Sequence, residues 1–210
     1  MRLILLGAPG AGKGTQAEIL SKQLEIPTIS TGNILRAAIK DGTPVGLKAK
    51  NFIEKGLLVP DDVIIDIIVA RLKKPDCIRG YILDGVPRTI AQAEAMEKKG
   101  IEVDAAVSIE VDDEVIVKRM SGRRVCPHCG QTYHIVNNPP EVDDKCNACG
   151  NELIVRSDDA PETVRGRLEI YHKVTEPLKT FYAERGKLKT VENQSGIEAT
   201  TAAIKEALEI

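Results

Sequence analysis

Residues 2–15 read RLILLGAPGAGKGT, and this stretch decides the fold. Its first part, Arg2 to Leu6, is a short apolar run that predicts a buried strand. A glycine-rich loop follows from Gly7 to Gly14, and Thr15 to Leu24 has the apolar spacing of a helix. Strand, glycine-rich loop, lysine and helix in this order form the context of a phosphate-binding loop, or P-loop.

The residues of this loop suit the binding of phosphate. Its glycines let the backbone curl so that several N–H groups face one point, and the helix N-terminus adds positive potential there. Lys13 can reach the β- and γ-phosphates of a nucleotide. Gly14 follows Lys13 where the general motif has Ser or Thr, so we expect Thr15 to hold a phosphate or a metal-bound water. The loop residues expected to bind nucleotide are Gly10, Ala11, Gly12, Lys13, Gly14 and Thr15.

Further strands are predicted at 26–29, 80–84, 105–111 and 187–192, with helices between them and one long helix over 161–185. Strands that alternate with helices predict an α/β fold with a parallel sheet covered on both faces. Two segments do not follow this alternation. Residues 30–59 have helical patterns only, and residues 122–159 are rich in Gly, Pro, Asn and Cys.

Composition excludes several classes of protein. The 29 basic and 31 acidic residues give a net charge of -2, which argues against a protein that coats nucleic acid. No apolar run approaches the roughly 18 residues of a membrane helix, and the apolar N-terminal run is too short for a signal peptide. We therefore expect a cytoplasmic protein without a membrane partner.

Four of the five cysteines form two CxxC pairs. Cys126 and Cys129 are separated from Cys146 and Cys149 by residues 130–145, a spacing typical of four-cysteine zinc sites. Four protein ligands leave no open position, so a structural Zn²⁺ is predicted, although iron can occupy such a site. His128 and His134 are expected to be exposed loop histidines, and Cys77 an ordinary thiol.

Four further motifs follow the P-loop in order. They are TGNILR at 31–36, DGVPRT at 84–89, RSDD at 156–159 and RGRL at 165–168. With the P-loop string, they resemble the nucleoside monophosphate kinase family, and the adenylate kinases in particular. The resemblance spans residue 1 to about residue 195.

The resemblance implies an enzyme that catalyses MgATP + AMP ⇌ 2 ADP, with ATP, AMP and ADP as partners and Mg²⁺ as the cofactor of ATP. It implies a three-layer P-loop core formed by residues 1–29, 60–121 and 160–210. Residues 30–59 would be a helical insert that binds AMP, and residues 122–159 a zinc-binding lid. No nucleic-acid partner is implied, and we expect a monomer.

Phosphoryl transfer needs positioning and electrostatic stabilisation more than covalent chemistry, so its site should be rich in Lys and Arg. By resemblance, Arg36 and Arg88 clamp the acceptor phosphate, and Asp84 binds Mg²⁺ through water. Arg165 stays undecided, because it lies two residues from Arg167 and points to another side of its helix. The catalytic residues implied are Lys13, Asp84, Arg88, Arg123, Arg156 and Arg167.

The resemblance also implies two nucleotide sites. Besides the loop, ATP would contact Arg119, Arg123, Thr132, Tyr133 and Ser195. AMP would contact Thr31, Arg36, Leu57, Leu58, Val59, Gly85, Val86, Pro87, Arg88, Gln92, Arg156 and Arg167. The Gln92 amide is suited to meet the adenine edge.

Two residues depart from the family pattern, and two alternative functions stay open. Asn33 stands where the family has Asp, which bears on Mg²⁺ affinity, and Val86 stands where it has Phe. One alternative keeps the chemistry but uses UMP, CMP or GMP as acceptor, or GTP as donor. The other is a nucleotide-gated zinc-ribbon module that binds nucleic acid or protein, against which stands an aromatic content of only 3%.

Overall fold

A computed structural model describes residues 1–194 and 196–210. The strands are Arg2–Leu6 (β1), Thr28–Ser30 (β2), Tyr81–Asp84 (β3), Ala105–Glu110 (β4), Arg123–Val125 (β5), Thr132–His134 (β6) and Leu188–Glu192 (β7). The α-helices are Lys13–Leu24 (α1), Thr31–Lys40 (α2), Pro44–Glu54 (α3), Asp61–Leu72 (α4), Ile90–Lys98 (α5), Asp113–Ser121 (α6), Pro161–Ile170 (α7), Leu178–Ala183 (α8) and Ile197–Leu208 (α9).

Five strands form one parallel sheet in the order β2-β3-β1-β4-β7. In the β1–β3 pair, Leu5 is opposite Asp84, so the chain leaves both strands at the same edge of the sheet. The glycine-rich loop and the DGVPRT segment therefore begin side by side. This parallel sheet between helical layers confirms the predicted α/β fold.

The alternation of side chains along β1 explains the three layers. Ile4 and Leu6 belong to a buried cluster that includes residues of α4, α5 and α8. Leu3 and Leu5 belong to a second cluster, with residues of α1 and α9. Because successive strand residues point to opposite faces, a strand buried on both sides must be apolar at every position, as 3–6 are.

The predicted single helix over 161–185 is wrong in its continuity. Helix α7 ends at Ile170, a π-helical turn covers Tyr171–Thr175, and α8 begins only at Leu178. Pro177 lies between them, and proline cannot donate the backbone hydrogen bond that a continuing helix needs. The turn places Thr175 so that its hydroxyl donates to the carbonyl of Arg88 at 2.8 Å.

The two segments outside the alternation are a helical hairpin, α2–α3, and a small β-unit. In the β-unit, β5 and β6 pair antiparallel, and Val125 also bridges to Ile154. In the described part of the chain, no helix has both the length and the apolar character to cross a membrane.

Close packing within the helical hairpin depends on Gly46. A β-carbon built at Gly46 would lie 2.1 Å from the carbonyl oxygen of Ala38, whereas one at Gly166 in α7 meets no atom within 4 Å. We expect Gly46→Ala to lower the free energy of unfolding by roughly 1–3 kcal/mol through overpacking. Gly166→Ala, the matched control, should raise it by about 0.5–1 kcal/mol through helix propensity. Urea titrations measure both; equal effects of the two variants would contradict the close approach.

Candidate functional site

A cavity of about 810 Å³ opens at the carboxyl ends of the strands. Ligands bind in this position in open α/β sheets. Of the predicted nucleotide-contacting residues, all those described except Val86 line this cavity. Val86 is fully buried and packs in the apolar core, while Ser195 lies outside the described residues. The residues predicted to contact nucleotide therefore lie around one cavity.

The glycine-rich loop holds Lys13 at the floor of the cavity. The Lys13 ammonium donates to the carbonyls of Gly7 at 2.7 Å and Ala8 at 2.8 Å. Burial lowers the pKa of Lys13 from 10.5 to about 8; Asp84 opposes this shift, and Arg88, Arg167 and Arg123 add to it. The lysine is thus surrounded by positive charge, as expected where an anion binds.

Five of the arginines that line the cavity form a cluster of interacting charges with Lys13. They are Arg36, Arg88, Arg123, Arg156 and Arg167. Burial is the first cause that lowers the pKa of Arg156 to about 9 and that of Arg167 to about 10, with neighbouring arginines contributing to both. The Arg156 Nε atom is buried and has no hydrogen-bond partner among the described residues. Such an unpaired N–H is available to donate a hydrogen bond to an anionic ligand in the cavity.

An acidic pair positions two of these arginines. Arg123 forms a two-armed ion pair with Asp159, with Nε at 2.7 Å from Oδ2. Arg167 is 2.8 Å from Asp158 and 3.6 Å from Asp159. Sequence reasoning quoted Asp158 and Asp159 as part of a motif but gave them no place in the site. Their position two and three residues after Arg156 was the available signal.

On the side of the cavity predicted to bind AMP, the segment from Gly85 to Gln92 is anchored at both ends. The Gly85 carbonyl accepts from the Thr31 hydroxyl at 2.9 Å and from Arg88 Nε at 3.0 Å. The Gln92 side-chain oxygen accepts from the Arg88 backbone N–H at 2.7 Å. These contacts hold Arg88 against the cavity, while Arg36 donates to the Asn33 side chain at 2.7 Å.

On the opposite side, Arg119 projects from α6 and donates to the Asn193 side chain at 3.2 Å. Thr132 and Tyr133 also line the cavity. Tyr133 is nonetheless 3% exposed, and its hydroxyl accepts from the Asn147 N–H at 2.8 Å. It packs with Cys126, Cys146 and Leu153, so most of its side chain belongs to the interior of the β-unit.

The β-unit reaches across the cavity to the other two parts. The Gln131 amide donates to Glu18 of α1 at 3.1 Å. A β-carbon at Gly130 would lie 2.8 Å from the Asn33 amide nitrogen in α2. The 122–159 segment therefore covers the cavity, and Asn33 faces the part of this segment that contains Gly130.

The four cysteines of the CxxC pairs converge. Their Sγ atoms all lie within 4.8 Å of one another, with separations of 3.4 Å for Cys126–Cys149 and 3.5 Å for Cys129–Cys146. A tetrahedral zinc site with Zn–S near 2.3 Å has S–S edges of roughly 3.8 Å. A glycine with a positive φ follows each CxxC pair, with +80° at Gly130 and +72° at Gly150. Such a backbone conformation suits a tight turn around a metal. The residues present fit a four-coordinate metal of thiolate preference.

Comparison with known proteins supports one family. Residues 5–187 match the family model described as adenylate kinase. A protein of Acetivibrio thermocellus named adenylate kinase is 55% identical over 99% of this chain and 98% of its own length. Proteins of the same name from Carboxydothermus hydrogenoformans and Caldicellulosiruptor bescii are 51% and 53% identical, each over the full length of both chains.

These matches cover the P-loop, the cavity residues and the cysteine-bearing segment alike. The family model and the relatives therefore match the part of the chain that carries the P-loop and the cationic cavity. The chain belongs to the adenylate kinase family, a family of phosphotransferases.

Proposed function

We propose that this chain catalyses reversible phosphoryl transfer from MgATP to AMP, giving two molecules of ADP. The observation that carries the proposal is the convergence of Lys13 and five arginines on one cavity beside the P-loop. Relatives that are 51–55% identical over the whole chain carry the name of this activity, which supports it further.

The chemistry balances without a protein nucleophile or base. The bond between the γ-phosphorus of ATP and its bridging oxygen breaks, and a bond forms from that phosphorus to a phosphate oxygen of AMP. The attacking oxygen is already anionic, so no proton has to be removed. The negative charge that develops on the transferred group needs fixed positive charge around it.

The cavity residues divide this task. Lys13 and the loop N–H groups hold the donor phosphates, while Arg88 and Arg36 hold the acceptor phosphate. Arg123, Arg156 and Arg167 surround the group in transfer, since the planar guanidinium binds two phosphate oxygens at once. Asp84 ends β3 close to Gly14 and is suited to hold Mg²⁺ through water. The ion would neutralise phosphate charge when it arrives with ATP.

Residues 30–59 and 122–159 would move as separate bodies on the core formed by 1–29, 60–121 and 160–210. Closure is needed because water competes with AMP for the γ-phosphoryl group, and opening is needed for release. The Gln131–Glu18 contact and the approach of Gly130 to Asn33 support a closing role for 122–159. Zn²⁺ on Cys126, Cys129, Cys146 and Cys149 would stiffen this lid. We place the protein in the cytoplasm as a monomer.

A product assay tests the function. Chain, Mg²⁺ and ATP are incubated with AMP, CMP, UMP or GMP, and nucleotides are separated by chromatography. We expect two ADP for each AMP consumed and little transfer to the others.

Arg88→Ala should lower turnover roughly 10²-fold or more, the scale of one lost transition-state donor. Arg165→Ala, an exposed control, should not. In the product assay of the parent chain, transfer to no acceptor by the folded protein would overturn the proposal, and a preference for another acceptor would revise it.

The lowered pKa of Lys13 predicts proton uptake when triphosphate binds. At pH 8.5 a group with a pKa of about 8 is mostly neutral, and anionic phosphates favour its charged form. Titration calorimetry of MgATP in buffers of different ionisation enthalpy should show uptake of up to about three-quarters of a proton at pH 8.5. At pH 6.5 this uptake should vanish because Lys13 is already charged. Unchanged uptake in Lys13→Met would assign the proton to another group.

Metal removal tests the structural role of the cysteines. Elemental analysis should find one Zn²⁺ per chain. Chelation should lower the Tm by roughly 5 °C or more, since about 1 kcal/mol corresponds to 2–4 °C at this size. Cys149→Ser should reproduce this fall in Tm without a chelator. In Cys77→Ser, which lies outside the cluster, chelation should lower the Tm by as much as in the parent protein. Part of the activity should survive at low temperature. Complete loss of activity at unchanged Tm would contradict a purely structural metal.

A further inference from the structure

Asp61 lies behind the acceptor side of the cavity, outside every motif considered above. It is the first residue of α4 and is partly buried. One carboxylate oxygen accepts from the Gln92 side-chain nitrogen at 2.7 Å, and the other accepts from the Thr89 hydroxyl at 3.1 Å. Thr89 in turn caps α5 by accepting from the Gln92 backbone N–H at 3.0 Å.

These partners fix which end of the Gln92 amide is oxygen. A carboxylate can only accept, so Asp61 requires the Gln92 nitrogen on its side. The Arg88 backbone N–H can only donate, so it requires the Gln92 oxygen on the other side, where the distance is 2.7 Å. A rotated amide would place a donor against a donor and an acceptor against an acceptor.

Gln92 is 1% exposed but lines the cavity, so this fixed amide is part of the acceptor wall. An amide has two donor hydrogens and two acceptor lone pairs. Asp61 and Arg88 use one of each, which leaves one donor and one acceptor in a fixed order. A free glutamine could match either kind of purine by rotating its amide, whereas this one cannot.

We infer that Asp61 is a specificity-determining positioning residue, which locks the Gln92 amide in the orientation that accepts a 6-aminopurine and rejects a 6-oxopurine. The inference rests on the proposed function, in which AMP is the acceptor. The 6-amino group of adenine donates, and the adjacent ring nitrogen N1 accepts. In a 6-oxopurine both polarities are reversed, so each would face a like group on the locked amide.

The test compares AMP with IMP as acceptors, because these nucleotides differ at positions 1 and 6 of the base and in nothing else. Asp61→Ala should lower the AMP-to-IMP ratio of kcat/KM roughly 10-fold or more, the scale of a two-point amide–base contact. The KM for AMP should rise while the KM for ATP stays within about twofold, since the donor side is untouched. A general loss of stability would not produce this split.

Asp62→Ala is the matched control. Asp62 is the next residue in the first turn of α4, carries the same charge and is exposed. The control removes the same interaction with the helix dipole but no contact to Gln92. Asp61→Asn keeps an acceptor oxygen, so it should retain most of the preference for AMP over IMP. If Asp61→Asn and Asp62→Ala both lost the preference for AMP over IMP, the effect would be one of charge, and the inference would be overturned.

A double-mutant cycle tests whether Asp61 acts through Gln92. In a Gln92→Ala background, Asp61→Ala should change the AMP-to-IMP ratio by less than about twofold. If Asp61→Ala fails to fold, Asp61→Ser takes its place, because a single shorter hydroxyl cannot contact Gln92 and Thr89 as the two carboxylate oxygens do. A wild-type enzyme that prefers AMP, with an unchanged ratio in the folded Asp61 variant, overturns this inference alone. A wild-type chain that transfers to neither nucleotide overturns the proposed function instead.

Discussion

The desolvation and mutual repulsion of partly buried cations are the constraint on which the rest of this site depends. Six of the cations that line one cavity lie close enough to influence one another's pKa, and three carboxylates lie among them. The cations are Lys13, Arg36, Arg88, Arg123, Arg156 and Arg167, and the carboxylates are Asp84, Asp158 and Asp159. Burial of like charges is unfavourable until a polyanion arrives, so a bound polyanion would stabilise this site.

The surrounding elements hold these charges in place and neutralise only part of them. The Lys13 ammonium is tied to loop carbonyls, Arg123 and Arg167 to the acidic pair, and Arg88 to the Gly85 carbonyl. Thr175 reaches the Arg88 carbonyl only because the π-helical turn interrupts the helix there. Preorganised charge costs no rearrangement at the moment of transfer, which is where a phosphotransferase gains most.

The cysteine cluster solves a different problem. Residues 122–159 have a buried apolar cluster of only Cys126, Tyr133, Cys146 and Leu153, too small to hold a segment of this length in one shape. A metal held by the four converging thiols would supply a cross-link that the core cannot. Arg123 and Arg156 lie near the two ends of this segment and both line the cavity. Under the proposed function, a lid stiffened in this way would return them to the same cavity edge each time it closed.

Much of the fold and the site could be predicted from local sequence. The apolar run at 3–6, the Gly-rich loop before Lys13 and the CxxC spacing each depend on neighbouring residues, so the strand, the P-loop and the metal ligands follow from them. The π-helical turn could not be predicted, since helix propensity runs unbroken to 176 and tertiary contacts decide its register. Nor could the ion pairs of Asp158 and Asp159 or the side-chain packing of Tyr133. The contact between Asp61 and Gln92 joins residues 31 positions apart, on two helices that only the packed sheet brings together. The sequence by itself determined which chemical groups are present and on which elements they lie. The tertiary structure alone decided which of them face one another, because hydrogen bonds and like-charge repulsion depend on distances in space that no local pattern encodes.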